Sequence, residues 1–238
     1  MVIASACVFN NHLDRGIDRL MARTRDRALV TGAVSSRAAL VYGTVLGLVG
    51  FELLAAYTNV PTLITGLVGW ITYVAAYGYA KRKSRFGTIV GSIPGATPPL
   101  AGYLAVTGHI DAAAIILFLT LAFWQLPHFY AIAMYRRDDY AAAGIPVWSV
   151  AKGMASTKRQ ILISTVLFIV TALGLTAFGY TGYVYMAIVL LIGGRWLWLG
   201  LKGLSVPDDV KWARTMFRFS LVALLAWSTT IGLAAILP

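Results

Sequence analysis

Charge is scarce in this 238-residue chain, where Asp, Glu, Lys and Arg together make up 12% of the residues. A soluble domain carries about twice that share. Acids are scarcest, nine against 20 Lys and Arg. The one cysteine, Cys7, can form no internal disulfide and no thiolate metal cluster. Also missing are a Gly-rich phosphate loop, a nucleophile elbow, a Cys/His cluster and any nucleic-acid motif. These absences exclude a soluble globular enzyme, a disulfide scaffold and a disordered tail. Apolar residues dominate instead, at 59%, with a mean hydropathy of +0.75. At about 20 apolar residues per membrane span, or about 30 with a turn, the chain has room for seven or eight spans. The sequence is that of a polytopic membrane protein.

Long apolar runs separated by charge clusters place seven full spans at 38–57, 62–80, 88–106, 112–135, 161–178, 183–201 and 219–237. They follow an apolar stub, Met1–Phe9, that is too short to cross. The stub reads as the second half of a span and has none of the basic n-region of a signal peptide. Every Lys and Arg except Arg195 falls in alternate connections: Arg15 to Arg37, Lys81 to Arg85, Arg136 to Arg159 and Lys202 to Arg218. The positive-inside rule makes those connections cytoplasmic and puts the end of the chain outside. The net charge of +11 therefore reflects topology and calls for no nucleic-acid partner.

A carboxylate near lipid is costly without a partner, so the acids are the informative residues. Asn10, Asp14 and Asp18 are spaced i, i+4, i+8. On a helix each step drifts about 40° and rises about 6 Å, so the three oxygen-bearing side chains share one face. Two carboxylates and an amide are hard oxygen ligands suited to Mg²⁺, which takes its remaining ligands from a phosphate-bearing substrate and water. Arg23 and Arg27 follow, and guanidinium groups bind phosphate oxygens in bidentate fashion. The alternative is an ordinary helix end with intrahelical ion pairs such as Asp14 with Arg19. A second acidic pair, Asp138-Asp139, follows Arg136-Arg137 at the cytoplasmic end of the fourth span. Alone it reads equally well as a solvated loop. Two acidic sites on one membrane face favour chemistry in which a metal ion neutralises a departing diphosphate.

His128 lies within the fourth span beside Pro127. A lone histidine there is more often a packing residue, although Pro127 would free a carbonyl and open the helix as cavity-lining spans do. The stretch Gly91-Ser-Ile-Pro-Gly-Ala-Thr-Pro-Pro99 is expected to break the third span in the same way, or to provide close helix packing through small residues. Lys81-Arg82-Lys83-Ser84-Arg85 is first a topology signal and second a set of cations for acidic substrate groups. Glu52 has no functional reading. Trp196, Trp198 and Trp212 read as interfacial anchors.

The combination of motifs resembles the UbiA-type intramembrane prenyltransferases. Asn10-x-x-x-Asp14-x-x-x-Asp18 with Met21-Ala-Arg-Thr-Arg-Asp-Arg27 is similar to that family's first acidic motif. Gly95-Ala-Thr-Pro-Pro99, Trp124-Gln-Leu-Pro-His-Phe-Tyr130 and Arg136-Arg-Asp-Asp-Tyr140 look like its protohaem IX farnesyltransferase branch, and the likeness runs the length of the chain. The resemblance implies an all-α, polytopic transmembrane helical bundle of nine spans around a central cavity open to the cytoplasm. It implies an inner-membrane enzyme that transfers farnesyl from farnesyl diphosphate to a vinyl group of haem B, giving haem O and pyrophosphate. The product would pass to a downstream haem A synthase. Carried over by position, Asn10, Asp14 and Asp18 would hold Mg²⁺ and diphosphate, and Asp138 and Asp139 would form the second acidic site. Arg23, Arg27, Lys81 and Arg82 would grip phosphate or haem propionates, and Tyr130 would touch substrate. His128 stands where relatives acting on quinone precursors carry an acid, which suggests haem recognition or a basic role.

Gly16 falls where relatives commonly carry another acid. Residues 1–238 are expected to form a single transmembrane prenyltransferase domain without the family's first span and half of the second. Seven spans and a stub would leave the cavity wall open to lipid, so the chain as written is expected to fold poorly or be inactive. Two competitors remain from the residues. A prenyltransferase for an aromatic quinone or chlorophyll precursor is disfavoured by His128 and Pro98-Pro99. A transporter would carry midplane acids and internal repeats, whereas these acids gather at one face.

Overall fold

The computed structural model of the chain describes residues 1–234, and within them the protein is helical with no strand. The chain runs through α1 (Val2–Asp18), α2 (Ala28–Thr31), α3 (Ser36–Tyr57) and α4 (Val60–Ile71). A π-helical segment, Thr72–Tyr77, joins α4 to α5 (Gly78–Lys83), and the three form one continuous span, Val60–Lys83. Next come α6 (Gly87–Thr107), α7 (Ala112–Tyr135), α8 (Arg137–Ala142) and α9 (Trp148–Ala151). The last are α10 (Gly153–Ala177), α11 (Tyr183–Lys202, continued by a 3₁₀ turn to Ser205) and α12 (Asp209–Leu233). Seven of these helices are long and apolar enough to cross a membrane, matching the seven expected spans, and the chain is an integral membrane protein. The expected end of the last span, Leu237, lies outside the described residues.

Helix starts follow capping chemistry. The side chains of Ser35, Asn59, Asp111 and Asp208 accept hydrogen bonds from the backbone N–H groups of Ala38, Thr62, Ala114 and Lys211, opening α3, α4, α7 and α12. Two expectations need correction. The prolines do not break α6 or α7, which run continuously through Pro94, Pro98, Pro99 and Pro127. Prolines are tolerated where neighbouring hydroxyls and helices restore lost backbone bonds, and Thr97 Oγ1 donates to the carbonyl of Pro94 at 2.7 Å. Second, α10 and α12 begin well before residues 161 and 219, so Lys158, Arg159, Lys211, Arg214 and Arg218 lie on helices and not in loops. Buried Lys158 is accommodated there by an ion pair with Asp209 at 2.5 Å. The π segment in the second span, by contrast, was not foreseen, because Thr72–Tyr77 holds no proline or glycine to announce it.

The chain divides into two compact units. The first comprises residues 1–109 and 137–150, the second residues 110–136 and 151–238. In the second unit α7 packs against α10 and α12, and α11 packs against the same two, closing a ring of four helices. Its interior carries Tyr185, whose hydroxyl donates to the Ala172 carbonyl at 3.0 Å and accepts from Trp227 Nε1 at 2.9 Å.

In the first unit α1 is the organising helix, touching α2, α3, α4, the π segment and α5. Its buried residues are Ser5, Ala6, Asn10, Asp14 and Asp18, while Ile3 and Leu13 are exposed. This polar-inside, apolar-outside pattern is the reverse of a soluble amphipathic helix and suits a helix with lipid on its outer face. It sits on α3 through the glycines Gly43, Gly47 and Gly50, with Ser5 Oγ donating to the Gly43 carbonyl at 2.7 Å and accepting from Trp70 Nε1 at 3.1 Å. Small residues allow such close backbone approach between membrane helices. A Cβ at Gly47 would stand 2.9 Å from Ser5 Oγ. Gly47→Leu is therefore expected to force α1 off α3 and to destabilise the protein by about 1–3 kcal/mol, the usual range for overpacking. A lowered thermal midpoint in detergent checks it.

Candidate functional site

The stripe Asn10, Asp14, Asp18 forms on α1 as its spacing requires, and all three residues are buried. Asp14 has no exposed surface and is the most heavily contacted of them. Its Oδ2 lies 2.6 Å from Lys81 Nζ, its Oδ1 lies 3.0 Å from Arg82 Nη2, and Oδ2 also accepts from Asn10 Nδ2 at 3.1 Å. Lys81 and Arg82 come from α5, the end of the second span, and both keep part of their surface open. The expected intrahelical partner for Asp14, Arg19, is not the one used. One turn along α1, Asp18 Oδ2 is held by Arg27 Nη1 at 2.7 Å, and the same nitrogen reaches Asn11 Oδ1 at 3.3 Å. Partial burial, and then the Arg15 cation, lower the His12 imidazole from its ordinary value.

Two oxygens on the stripe, Asn10 Oδ1 and Asp18 Oδ1, are buried with no hydrogen-bond partner. An unmade hydrogen bond of this kind costs about 1–3 kcal/mol. Both are hard oxygen donors, one turn to either side of Asp14, and each is of the kind that suits a small divalent cation taking few protein ligands. Among the described residues no three His, Cys, Asp or Glu side chains converge to hold a metal unaided. A cation here would need oxygens from a second molecule or from water to complete its shell.

Asp138 and Asp139 lie in the first turn of α8, Asp138 exposed and Asp139 half-buried. The structure ties this segment to the one following α1. Arg23 Nη2 donates to the Tyr140 hydroxyl at 2.8 Å, and the guanidinium lies 4.9 Å from the centre of the Tyr140 ring. Beneath them Met21, Ala143 and Ile145 form a small buried apolar cluster, flanked by Ile17, Tyr140 and Val147. The two acidic motifs, more than 100 residues apart in sequence, are thus held by one clasp in the first unit. Tyr140 is the residue whose part in this the sequence did not reveal, since a tyrosine after two acids carries no spacing signal.

His128 and Tyr130 belong to the second unit, and both are buried on α7. His128 Nδ1 is 2.7 Å from Ser220 Oγ, and its ring stacks on Trp124 at 4.9 Å and lies 4.9 Å from Phe217. These contacts correspond to the packing reading of that histidine. Glu52 is exposed on α3.

Comparison with known proteins places this geometry in context. The model of the UbiA prenyltransferase family matches residues 1–222, across both units. A relative from Protochlamydia amoebophila (strain UWE25), named protoheme IX farnesyltransferase, is 46% identical over 97% of this chain and 81% of its own length. One of the same name from Klebsiella pneumoniae subsp. pneumoniae is also 46% identical, over 100% of this chain and 81% of its own. Among solved structures, one described as digeranylgeranylglyceryl phosphate synthase superposes with a TM-score of 0.82 at 17% identity, covering 99% of this chain and 82% of its own. A UbiA homolog from Aeropyrum pernix K1 gives 0.71 at 18% identity, covering 99% and 84%. The two structures show the shared fold.

The two acidic motifs should respond differently to neutralisation. Asp14→Asn replaces a carboxylate that two cations share, and is expected to cost about 1–3 kcal/mol of stability. Asp138→Asn, on an exposed turn, is expected to stay within about 0.5 kcal/mol of the parent. Thermal unfolding of the purified variants in detergent distinguishes the two.

Proposed function

Because this chain belongs to the UbiA prenyltransferase family, we propose that it transfers a farnesyl group from farnesyl diphosphate to a vinyl group of haem B, giving haem O and pyrophosphate. The observation that carries the reading within the molecule is the clasp that joins the Asn10–Asp14–Asp18 stripe to Asp138-Asp139 on α8, with Lys81, Arg82, Arg23 and Arg27 around it. Near-complete alignment to relatives named protoheme IX farnesyltransferase supports haem as the acceptor over an aromatic quinone or chlorophyll precursor, and over a transport function.

In the reaction the allylic C–O bond breaks and its electron pair leaves with pyrophosphate. The vinyl carbon bonds to the farnesyl C1, and water adds to the resulting cation with loss of a proton. Little covalent chemistry is asked of the protein, and electrostatic stabilisation of the leaving group supplies most of the catalysis. Arg23 and Arg27 bind phosphate oxygens in this reading, and Lys81 and Arg82 divide their charge between Asp14 and an anionic substrate. Asn10, Asp14 and Asp18 would hold Mg²⁺ on one side, and Asp138 and Asp139 on the other. When bound, Mg²⁺ would neutralise the diphosphate and ease its departure. His128 and Tyr130 carry only the family resemblance as support for a part in haem recognition, since the contacts of His128 are those of a packing residue.

The basic connections and the acidic motifs are cytoplasmic in this reading, and α12 runs from Asp209 toward the outer face of the inner membrane. Residues 1–238 act as a single prenyltransferase domain, which the continuous family match over both compact units supports. Haem O leaves for a haem A synthase, and lipid surrounds the seven spans.

Farnesyl transfer to haem B, followed by mass spectrometry of the extracted haem, tests the reading. The parent protein with Mg²⁺ should yield haem that has gained a farnesyl group and a hydroxyl, and EDTA should abolish it. Asp18→Asn and Asp138→Asn should each lower the rate by about 10²–10³, the usual effect of removing one electrostatic contact to a developing charge. Prenylation of 4-hydroxybenzoate in place of haem would overturn the assignment of the acceptor.

A further inference from the structure

Arg195 stands near the middle of the span Tyr183–Ser205. It is exposed on α11, about 15 Å along the axis from the Ser205 end of that helix. A charged side chain facing lipid in the body of a span costs about 2.5–3.5 kcal/mol unless it reaches the interface or a counter-charge. The Arg195 guanidinium carbon lies 4.1 Å from the centre of the Trp198 ring. Lys202 Nζ lies 3.6 Å from the same ring. Residues 195, 198 and 202 are spaced i, i+3, i+7 and so form one stripe. Leu191, one turn deeper on that stripe, is 74% exposed, and Trp198 itself is 42% exposed.

Two like charges gathered on one indole repel each other, and the ring quadrupole offsets only about 0.5–1 kcal/mol for each at an exposed site. Elsewhere in this unit the buried cation Lys158 is matched by Asp209. Neither Arg195 nor Lys202 has a carboxylate partner among the described residues. The arrangement lacks an anion, and the place where it lacks one is the outer, lipid-facing surface of a membrane helix. We propose that Arg195, Trp198 and Lys202 form a binding site for the phosphate of an anionic phospholipid, whose acyl chains lie along the apolar stripe continued by Leu191. Arg195 would bind phosphate oxygens as a fork, Lys202 as a point charge nearer the headgroup, and Trp198 would fix both cations.

Native mass spectrometry of the full chain in detergent, titrated with phosphatidylglycerol, tests this. The parent should retain one phosphatidylglycerol that Arg195→Gln and Lys202→Gln each bind about tenfold more weakly, the loss of one charge-assisted hydrogen bond. Trp198→Leu should weaken binding and Trp198→Phe should retain most of it. The charge-matched control Lys152→Gln, exposed ahead of α10 in the same unit, should bind as the parent does. Equal retention by the parent and Arg195→Gln would overturn the proposal, as would equal affinity for phosphatidylcholine. Displacement of the lipid by millimolar inorganic phosphate would show a free-anion site and overturn the assignment to lipid. A dimer that dissociates in Arg195→Gln would make the stripe an interface between copies instead.

Discussion

Asp14 has no contact with solvent, and a carboxylate so placed is tolerable only because Lys81 and Arg82 arrive from another helix to meet its two oxygens. The first unit is arranged around that requirement. It fixes how α1 lies against the second span, and so which face of α1 is inward. With Asp14 inward, Asn10 and Asp18 one turn to either side are inward too, and their spare oxygens are left without partners. Lipid reinforces the constraint, since the outward face of α1 is apolar. A rotation of the helix would expose the carboxylates to hydrocarbon and bury Ile3 and Leu13 against polar groups.

The site differs from a rigid metal cage in where its charges stand. Four cations surround three acidic or amide groups, and Lys81, Arg82 and Arg27 remain partly open on the side away from their carboxylates. Such a surface is held together without substrate and still presents positive charge to it. The clasp between Arg23 and Tyr140 adds a mechanical element, because a segment just after α1 and the short helix bearing Asp138 and Asp139 share one small apolar cluster.

Much of this was legible in the residues, and what was not has identifiable causes. Seven spans followed from apolar runs, and the shared face of Asn10, Asp14 and Asp18 followed from helical period alone. The partners of those acids were not legible, since Lys81 and Arg82 are 67 and 68 residues away from Asp14 and read first as a topology signal. The early starts of α10 and α12 were hidden because span detection weights apolarity, whereas Lys158 is buried by pairing with Asp209. Proline misled in α6, where the rule for soluble helices gives way to the density of neighbouring groups in a membrane bundle.

The π segment Thr72–Tyr77 sits in the second span immediately before Lys81 and Arg82. A wider turn of this kind advances the chain by one residue without completing the ordinary rotation, so everything beyond it is offset by about 100° from where a regular helix would put it. The segment thus acts as a phase adjuster. The lipid-facing pattern of Val60–Ile71 and the inward aim of Lys81 and Arg82 belong to two different angular registers, joined in one span. Whatever length variation the loops of this fold accept, the stretch between Ile71 and Lys81 is the place where the count of residues is itself part of the site.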